Sequence, residues 1–245
     1  MVLEPPGDAA GRLDVPGTYN FREVAPGVLA SGRLYRSDAL HRLDKAGRRR
    51  IGELGIRTVL DLRSAIDRRL GGRDRLRGTG AIRVSVPIDG TPRAVDLATI
   101  TLADVYRAIL TRHQPILGRI IREIAASDGP VLVHCTAGKD RTGLIVALTL
   151  AALDIDRRVI LADYAATAAN LAGEWTERML RKVRRFRVPV TDEIVAVLTG
   201  SPAEVLDETL DWIDSEYGGM SAYLDGAGVD SSTRAALRAK LLPPA

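Results

Sequence analysis

The sequence predicts an α/β fold, a sheet covered on both faces by helices and followed by a helix-rich C-terminal half. Three observations carry this reading. Short β-rich runs alternate with segments of helical period as far as Leu153. One of these runs, Val131-Leu132-Val133, is apolar throughout, as strands buried on both faces are. From Asp156 onward, segment after segment reads as helix. The 245 residues show no internal repeat and no long linker, so a single domain over 1–245 is expected. A core of this size removes roughly 70–75% of the unfolded chain's surface from water, so no disulfide or metal staple is needed.

Residues 1 to about 12 are rich in Pro and Gly without periodicity and read as a loose arm. From Val28 to Arg36, apolar pieces broken by Ser31-Gly32 predict a hairpin or two short strands. Leu43–Leu54 has helical spacing, with Asp44 near its start and Gly55 as its stop. Thr58–Leu62 and Val84–Ile88 read as strands, the second running into Asp89-Gly90. Helices follow over Leu102–Arg112 and Ile116–Ala126, the latter opened by Pro115, whose missing N–H costs nothing in a first turn. The apolar strand 131–133 leads to a helix over Thr142–Leu153. Ser201-Pro202-Ala203-Glu204 has the form of a capping box and predicts a helix to about Tyr217, ended by Gly218-Gly219. A last helix opens at Asp230 or Ser231 and runs to Leu242.

Composition removes several functions. Thirty-five basic against 31 acidic residues leave +4, a lean toward anionic partners that does not call for nucleic acid. The aromatics, two Trp, six Tyr and two Phe, are too few for a base-stacking platform. A single cysteine excludes an intramolecular disulfide framework and a CxxC zinc site. His41, His113 and His134 lack metal-ligand spacing, so neither metal nor other cofactor is expected. The N-terminal MVLEPPGDAAG has no basic and apolar signal pattern, and the longest apolar stretch, Leu144 to Leu153, is too short to span a bilayer. The expectation is a soluble, cytoplasmic protein with no membrane span, export without a signal peptide being left open.

The chemistry is concentrated at the only cysteine. Cys135 ends the apolar strand in Val133-His134-Cys135-Thr136-Ala137-Gly138-Lys139-Asp140-Arg141-Thr142-Gly143, and an apolar helix follows at once. Such a strand-to-helix loop directs backbone N–H groups and the positive end of a helix dipole at one point, which suits a phosphate. Thr136, Ala137, Gly138, Lys139 and Thr142 are therefore candidate substrate-binding residues, Gly138 because a bare backbone can approach an oxyanion closely. Arg141 can offer a planar pair of N–H donors to two phosphate oxygens. The same positive field favours the Cys135 thiolate, the nucleophilic form. Thr142 could donate its hydroxyl to the sulfur and improve it as a leaving group. The rival account, a buried inert cysteine, leaves Lys139, Asp140 and Arg141 clustered at a helix start without a reason.

HCTAGKDRTG resembles the signature loop of the cysteine-dependent phosphatases. The wider chain is similar to the bacterial tyrosine/lipid phosphatases of the mycobacterial protein-tyrosine-phosphatase B type. Asn20-Phe21-Arg22-Glu23-Val24, Leu34-Tyr35-Arg36-Ser37, Val59-Leu60-Asp61-Leu62-Arg63-Ser64, Asp163-Tyr164 and Tyr217-Gly218-Gly219 with Tyr223-Leu224 extend the likeness over about residues 18–242. The resemblance implies a flattened, mostly parallel sheet and a two-step hydrolysis without metal. Cys135 would attack phosphorus, Arg141 would hold the phosphoryl oxygens, and His134 would orient the loop through a backbone hydrogen bond. Two positions depart from the family pattern: Glu23 stands where Asp is usual, and Ala25-Pro26-Gly27 replaces Gly-Gly. Both set the expectation of a different pocket wall.

The leaving oxygen needs a proton. Asp140, whose position in this family is a candidate acid, is the first choice. Asp89, at a strand end where related phosphatases carry an acid on a mobile loop, is the second, and Asp61 the third, with a structural pairing to arginine as its alternative. Lys139 resembles the loop lysine of lipid phosphatases, against the plainer reading of a solvated surface lysine. Residues 174–187 carry six basic and two acidic side chains with Trp175, Met179, Leu180, Val183 and Phe186 interleaved at helical spacing. This amphipathic basic helix is either simply packed and solvated, a lid within 156–190 as the resemblance suggests, or a surface for peripheral contact with anionic membrane. The substrates implied are phosphorylated protein or phosphoinositide. The alternatives are a catalytically inactive phosphate-binding module and, less favoured by the Gly-Lys-Asp-Arg run, sulfur transfer at a loop cysteine.

Overall fold

The computed structural model describes residues 11–89, 101–185, 195 and 199–244. Five short strands form one sheet: β1 (Arg22–Glu23), β2 (Leu34–Ser37), β3 (Thr58–Asp61), β4 (Ile82–Ser85) and β5 (Val131–His134). Their order is β1-β2-β5-β3-β4, with β1 antiparallel to β2 and the other pairs parallel. The last strand in sequence thus lies in the middle, between β2 and β3. In-register rows cross the sheet: Tyr35, Leu132 and Val59 lie side by side, as do Arg36, Val133 and Leu60, then Ser37, His134 and Asp61.

Because side chains alternate between faces, neighbouring rows enter different cores. Leu34, Val131, Val133 and Leu60 join the larger core, shared with α3 (Leu102–Arg112), α4 (Gln114–Ala126), α5 (Asp140–Ala151) and α6 (Arg157–Leu171). Tyr35, Leu132 and Val59 join a smaller one with Val15, Phe21, Leu40, Leu43 and Ile51, the last on α1 (Lys45–Glu53). Helix α2 (Ala65–Gly71) leads to β4, and α7 (Glu174–Arg185) follows α6. Helices α8 (Ala203–Tyr217), α9 (Met220–Gly226) and α10 (Ser231–Leu241) complete the larger core through Leu206, Ile213, Tyr223 and Leu237. The expected α/β class, mostly parallel sheet and helix-rich C-terminal half are all present.

Several elements differ from their sequence reading. The Val28–Arg36 stretch gives one strand, not two: β2 starts at Leu34, and Val28 N and Leu29 N bond back to Ala25 O in a turn. The second predicted strand is shifted, lying at Ile82–Ser85 rather than Val84–Ile88. Hydrophobicity misled here, since Val86 and Ile88 are buried whereas Ile82 is 70% exposed in the ladder. Helix α2 escaped the sequence reading because it is short and buries no residue: its large apolar side chains, Ile66 and Leu70, are exposed. Its one signal is the capping box of Ser64 and Asp67. The capping box expected at Ser201 is absent: Pro202 is the cap, and Ser201 Oγ donates instead to Ala165 O (3.0 Å), tying α8 to α6. At α10, Asp230 supplies the cap by accepting from Thr233 N (2.8 Å). Residues 1–10 of the expected arm lie outside the described residues, while Arg12 already pairs with Arg22.

Helix α4 packs closely on the end of α9, where a Cβ at Gly118 would lie 1.8 Å from Ala227 O. Replacing Gly118 with Ala forces the two apart, and overpacking of this kind costs about 1–3 kcal/mol. Urea denaturation should show that loss. An unchanged midpoint would mean that α4 can step away freely.

Candidate active site

The loop from Cys135 to Arg141 connects the central strand β5 to α5, at the carboxyl edge where open α/β sheets bind ligands. Its shape is dictated from outside. Thr136 O accepts from Ala39 N (3.2 Å), and Ala137 O from Asn20 Nδ2 (3.0 Å). Gly138 O accepts from Arg36 Nη2 (2.8 Å) and Asn20 Nδ2 (3.2 Å). In a planar trans peptide, the carbonyl and the following N–H point in opposite directions. Fixing three successive carbonyls outward therefore turns the N–H groups of Ala137, Gly138 and Lys139 inward. Gly138 has φ +68°, and a Cβ there would meet Ser37 O at 2.3 Å, so only glycine fits.

The groups that pin the loop are themselves fixed. Asp38 Oδ1 accepts from Tyr19 N (2.8 Å) and Asn20 N (3.0 Å), which places the Asn20 amide. The buried Arg36 pairs with the Asp163 carboxylate of α6. Arg22, also buried, donates to Asp163 O (2.8 Å) and Thr167 Oγ1 (2.9 Å). Burial, and then the neighbouring Arg36 charge, push the Arg22 pKa down to about 9. Two buried arginines share one carboxylate, leaving excess positive charge under the loop.

Cys135 is itself buried. Burial pushes its thiol pKa up, but the Arg141 charge and the Thr142 side chain and N–H outweigh that, and the net shift is downward. Thr142 Oγ1 is buried without a hydrogen bond of ordinary geometry, so its proton is available to the sulfur. Arg141 Nη1 donates to Asp67 Oδ2 (2.5 Å) and Ile88 O (3.3 Å), and Nη2 lies 3.4 Å from Thr136 Oγ1. Asp67 also accepts from Ser64 N, so the capping box of α2 and the arginine of the loop share one carboxylate.

Beneath the loop, His134 Nδ1 faces Cys135 O (3.2 Å) and Nε2 faces Asp74 Oδ2 (3.1 Å). The backbone contact matches the orienting role that the resemblance implies. Both neighbours are acceptors. Burial pushes this histidine's pKa down, yet the Asp74 carboxylate more than compensates and the net shift is upward. Asp61, Asp74 and His134 place ligand-type atoms within 4.8 Å of one another, a grouping the sequence spacing did not show. Arg63 bridges its two carboxylates, at 2.9 Å from Asp61 and 2.8 Å from Asp74.

The candidate acids separate. Asp61 is fully buried, and despite burial its bonds to Arg63 hold its carboxyl down at about 2. It has no proton to give near neutrality, which leaves it the structural pairing. Asp140 stands partly exposed at the start of α5, its Oδ1 accepting from Tyr106 OH (2.7 Å) and Lys139 Nζ (2.7 Å). Asp89 is exposed and its carbonyl accepts from His113 Nε2 (3.2 Å); the Gly90-Thr91-Pro92 turn lies outside the described residues. Lys139 is 1% exposed and paired with Asp140, so it is not the solvated lysine of the plainer reading.

Of the departures from the family pattern, Glu23 accepts from Ser31 Oγ (3.0 Å) and Gly32 N (3.2 Å), away from the loop. Ala25 adopts φ 45°, with its N–H on Asp163 Oδ2 (3.1 Å). Helix α7 packs against the loop, Trp175 and Leu171 forming a small cluster with Ala137. Residues 186 and 187 of the predicted basic helix lie outside the described residues. Between α7, α2 and the loop is a cavity of about 680 Å³, lined by Tyr19, His41, Arg42 and Thr136 together with four of the basic side chains of α7. No helix among the described residues is long and apolar enough to cross a membrane. Sequence reasoning missed Asp67 and Asp74, and it missed what Asn20, Arg36 and Asp163 hold.

A family model described as the tyrosine phosphatase family matches residues 13–243. The triple specificity protein phosphatase PtpB of Mycobacterium tuberculosis is 34% identical, over 94% of this chain and 98% of that protein. A tyrosine-protein phosphatase of Nostoc commune is 29% identical, over 89% and 80%. Among solved structures, Pseudomonas aeruginosa TpbA aligns at TM-score 0.36 and 20% identity, covering 68% of this chain and 96% of that one. The core catalytic domain of the PP-IP phosphatase SIW14 from S. cerevisiae aligns at 0.42 and 16%, covering 71% and 96%.

The lowered thiol has a direct readout. Alkylation of Cys135 by iodoacetamide, followed against pH, should have its midpoint below the free-cysteine value of about 8.5. Thr142→Val should move that midpoint upward. A wild-type midpoint at or above the free value would contradict the electrostatics described.

Proposed function

Because the chain belongs to the tyrosine phosphatase family, we propose that this enzyme hydrolyses phosphomonoesters of proteins through a cysteinyl-phosphate formed at Cys135. The observation that supports this most is the loop: inward N–H groups, the Arg141 guanidinium and a thiol held toward its anion converge on one point. In the first step the thiolate attacks phosphorus, an S–P bond forms, and the P–O bond to the leaving group breaks. Arg141 and the N–H groups of Ala137, Gly138 and Lys139 hold the phosphoryl oxygens as charge builds on them. Thr136 supports Arg141 through its hydroxyl, and Thr142 stabilises the sulfur as it leaves. In the second step water attacks phosphorus, the S–P bond breaks, and inorganic phosphate and the thiolate are regenerated.

Asp140 is proposed as the acid that protonates the leaving oxygen and then accepts a proton from the attacking water. It lies next to Arg141 in the first turn of α5 and is accessible, unlike Asp61. Asp89 is the rival. Phosphotyrosine is the proposed primary substrate. The name of the M. tuberculosis relative, a triple specificity protein phosphatase, supports a range that includes phosphoserine and phosphothreonine. Phosphoinositide is the second substrate class proposed, and Lys139, on which the sequence argument for it rests, is buried beside Asp140 rather than solvated. The paired Cys135 and Arg141 favour an enzyme over a silent binding module.

Phosphate release should be measured with a chelator present, on phosphotyrosine, phosphoserine, phosphothreonine and phosphoinositide substrates. Release should vanish in Cys135→Ser, and acid quenching of the wild type should trap a phosphorylated cysteine. Failure of folded, reduced protein to release phosphate from any of them would refute the proposal. To assign the acid, Asp140→Asn should lose about 10²-fold on a poor leaving group such as phenyl phosphate and much less on p-nitrophenyl phosphate. The same selective loss in Asp89→Asn alone would transfer the role to Asp89.

A further inference from the structure

Helix α7 buries Trp175 against the loop and carries Arg178, Arg181, Lys182 and Arg185 along the cavity beside Thr136. These positions are spaced i, i+3, i+4 and i+7, which places them on one helical face. At 1.5 Å per residue they form a stripe about 10 Å long. The same cavity is lined by Arg42, which lies over the Tyr19 ring at 5.8 Å and whose Nε is buried without a hydrogen-bond partner among the described residues. His41, also lining it, has an Nδ1 that is likewise buried without a partner among the described residues.

The acidic groups facing these cations bind them loosely. Glu174 lies 3.7 Å from Arg178 and Glu177 lies 3.6 Å from Arg181, both in exposed pairs of the kind that contribute little. Among the described residues, Lys182 Nζ donates only to Leu70 O (3.2 Å) and Arg185 has no ion pair. Asp38 also reaches the cavity, but its carboxylate is buried and bonded by Tyr19 N and Asn20 N.

We propose that α7 is a specificity element which reads acidic residues flanking the phosphorylated residue of a peptide substrate. The proposal rests on the phosphatase reading above and adds the substrate class. A stripe about 10 Å long matches about three residues of extended chain at roughly 3.3 Å each. A compact headgroup would need its cations gathered around one point. The apolar wall of Tyr19, Trp175 and Met179 gives the peptide's other side chains a surface, and the carboxylates of the substrate replace those of Glu174 and Glu177.

The test compares phosphotyrosine peptides that differ only in flanking Asp/Glu against Ser/Gln. Wild-type protein should show a KM about five- to tenfold lower on the acidic peptide at low salt, with kcat unchanged. The double variant Lys182→Ala/Arg185→Ala should erase that preference while hydrolysing p-nitrophenyl phosphate normally. Raising salt from about 50 to 500 mM should erase it too, because screening shortens the reach of these charges to a few ångströms. Binding of the same peptides to Cys135→Ser protein, read by fluorescence anisotropy, repeats the comparison without turnover and so separates failure of the chemistry from failure of the stripe. Equal affinity for both peptides would overturn the proposal. So would a double variant that loses only its action on anionic phosphoinositide vesicles, which would make α7 a membrane surface.

Discussion

The planarity of the peptide bond, applied at three consecutive residues, is the constraint on which this site depends. A loop with outward carbonyls at Thr136, Ala137 and Gly138 must present the next N–H groups inward, and those carbonyls point outward because Ala39, Asn20 and Arg36 hold them. The binding surface is therefore built from groups that never touch its ligand. Each is held by something more distant: Asn20 by Asp38, and Arg36 by Asp163 on α6. The in-register row that places Arg36 beside Val133 delivers this cation to the loop, while the next row delivers His134 to Asp61 on the other face.

Charge explains why so costly an arrangement persists. Breaking a buried ion pair leaves an uncompensated charge worth several kcal/mol. Here Arg22 and Arg36 share Asp163, and Arg22 is driven down to about 9, chiefly by burial. Beneath the sheet's other face, by contrast, Arg63 and His134 are matched by Asp61 and Asp74. The imbalance lies on the side where Gly138 O meets Arg36, and its sign favours an incoming dianion, while the Cys135 thiolate is favoured by Arg141 and Thr142.

Much of this was legible in the sequence, for reasons that can be stated. Cys135, Gly138, Arg141 and Thr142 lie within a single short stretch of sequence, and a strand running into a helix fixes their mutual placement. The partners of the loop are not local. Asn20 lies 117 positions from Ala137, and Arg36 lies 127 from Asp163, so no spacing rule connects them. The likeness to known phosphatases flagged Asn20, Arg36 and Asp163 without saying what they hold. Asp67 was invisible for another reason: α2 is short and buries nothing, Ile66 and Leu70 being exposed, so its cap is the clearest trace it leaves. Lys139 shows what a loop sequence leaves open. A charged residue in a polar loop suits both a loop lysine and a solvated one, and only the three-dimensional packing against Asp140 removes the solvated alternative.

The Asp67 contact bears on how the arginine works. A guanidinium on a flexible stem would have to be ordered as substrate binds, at the expense of side-chain entropy. With Nη1 bonded to Asp67 and Ile88 O, and Nη2 near Thr136, its plane is set beforehand. The same carboxylate draws off part of the arginine's charge, so the arrangement exchanges some electrostatic pull for orientation. That exchange is favourable only where positive charge is otherwise plentiful. The two buried arginines below the loop supply it, and α7 extends it outward along the cavity, where orientation matters less than reach.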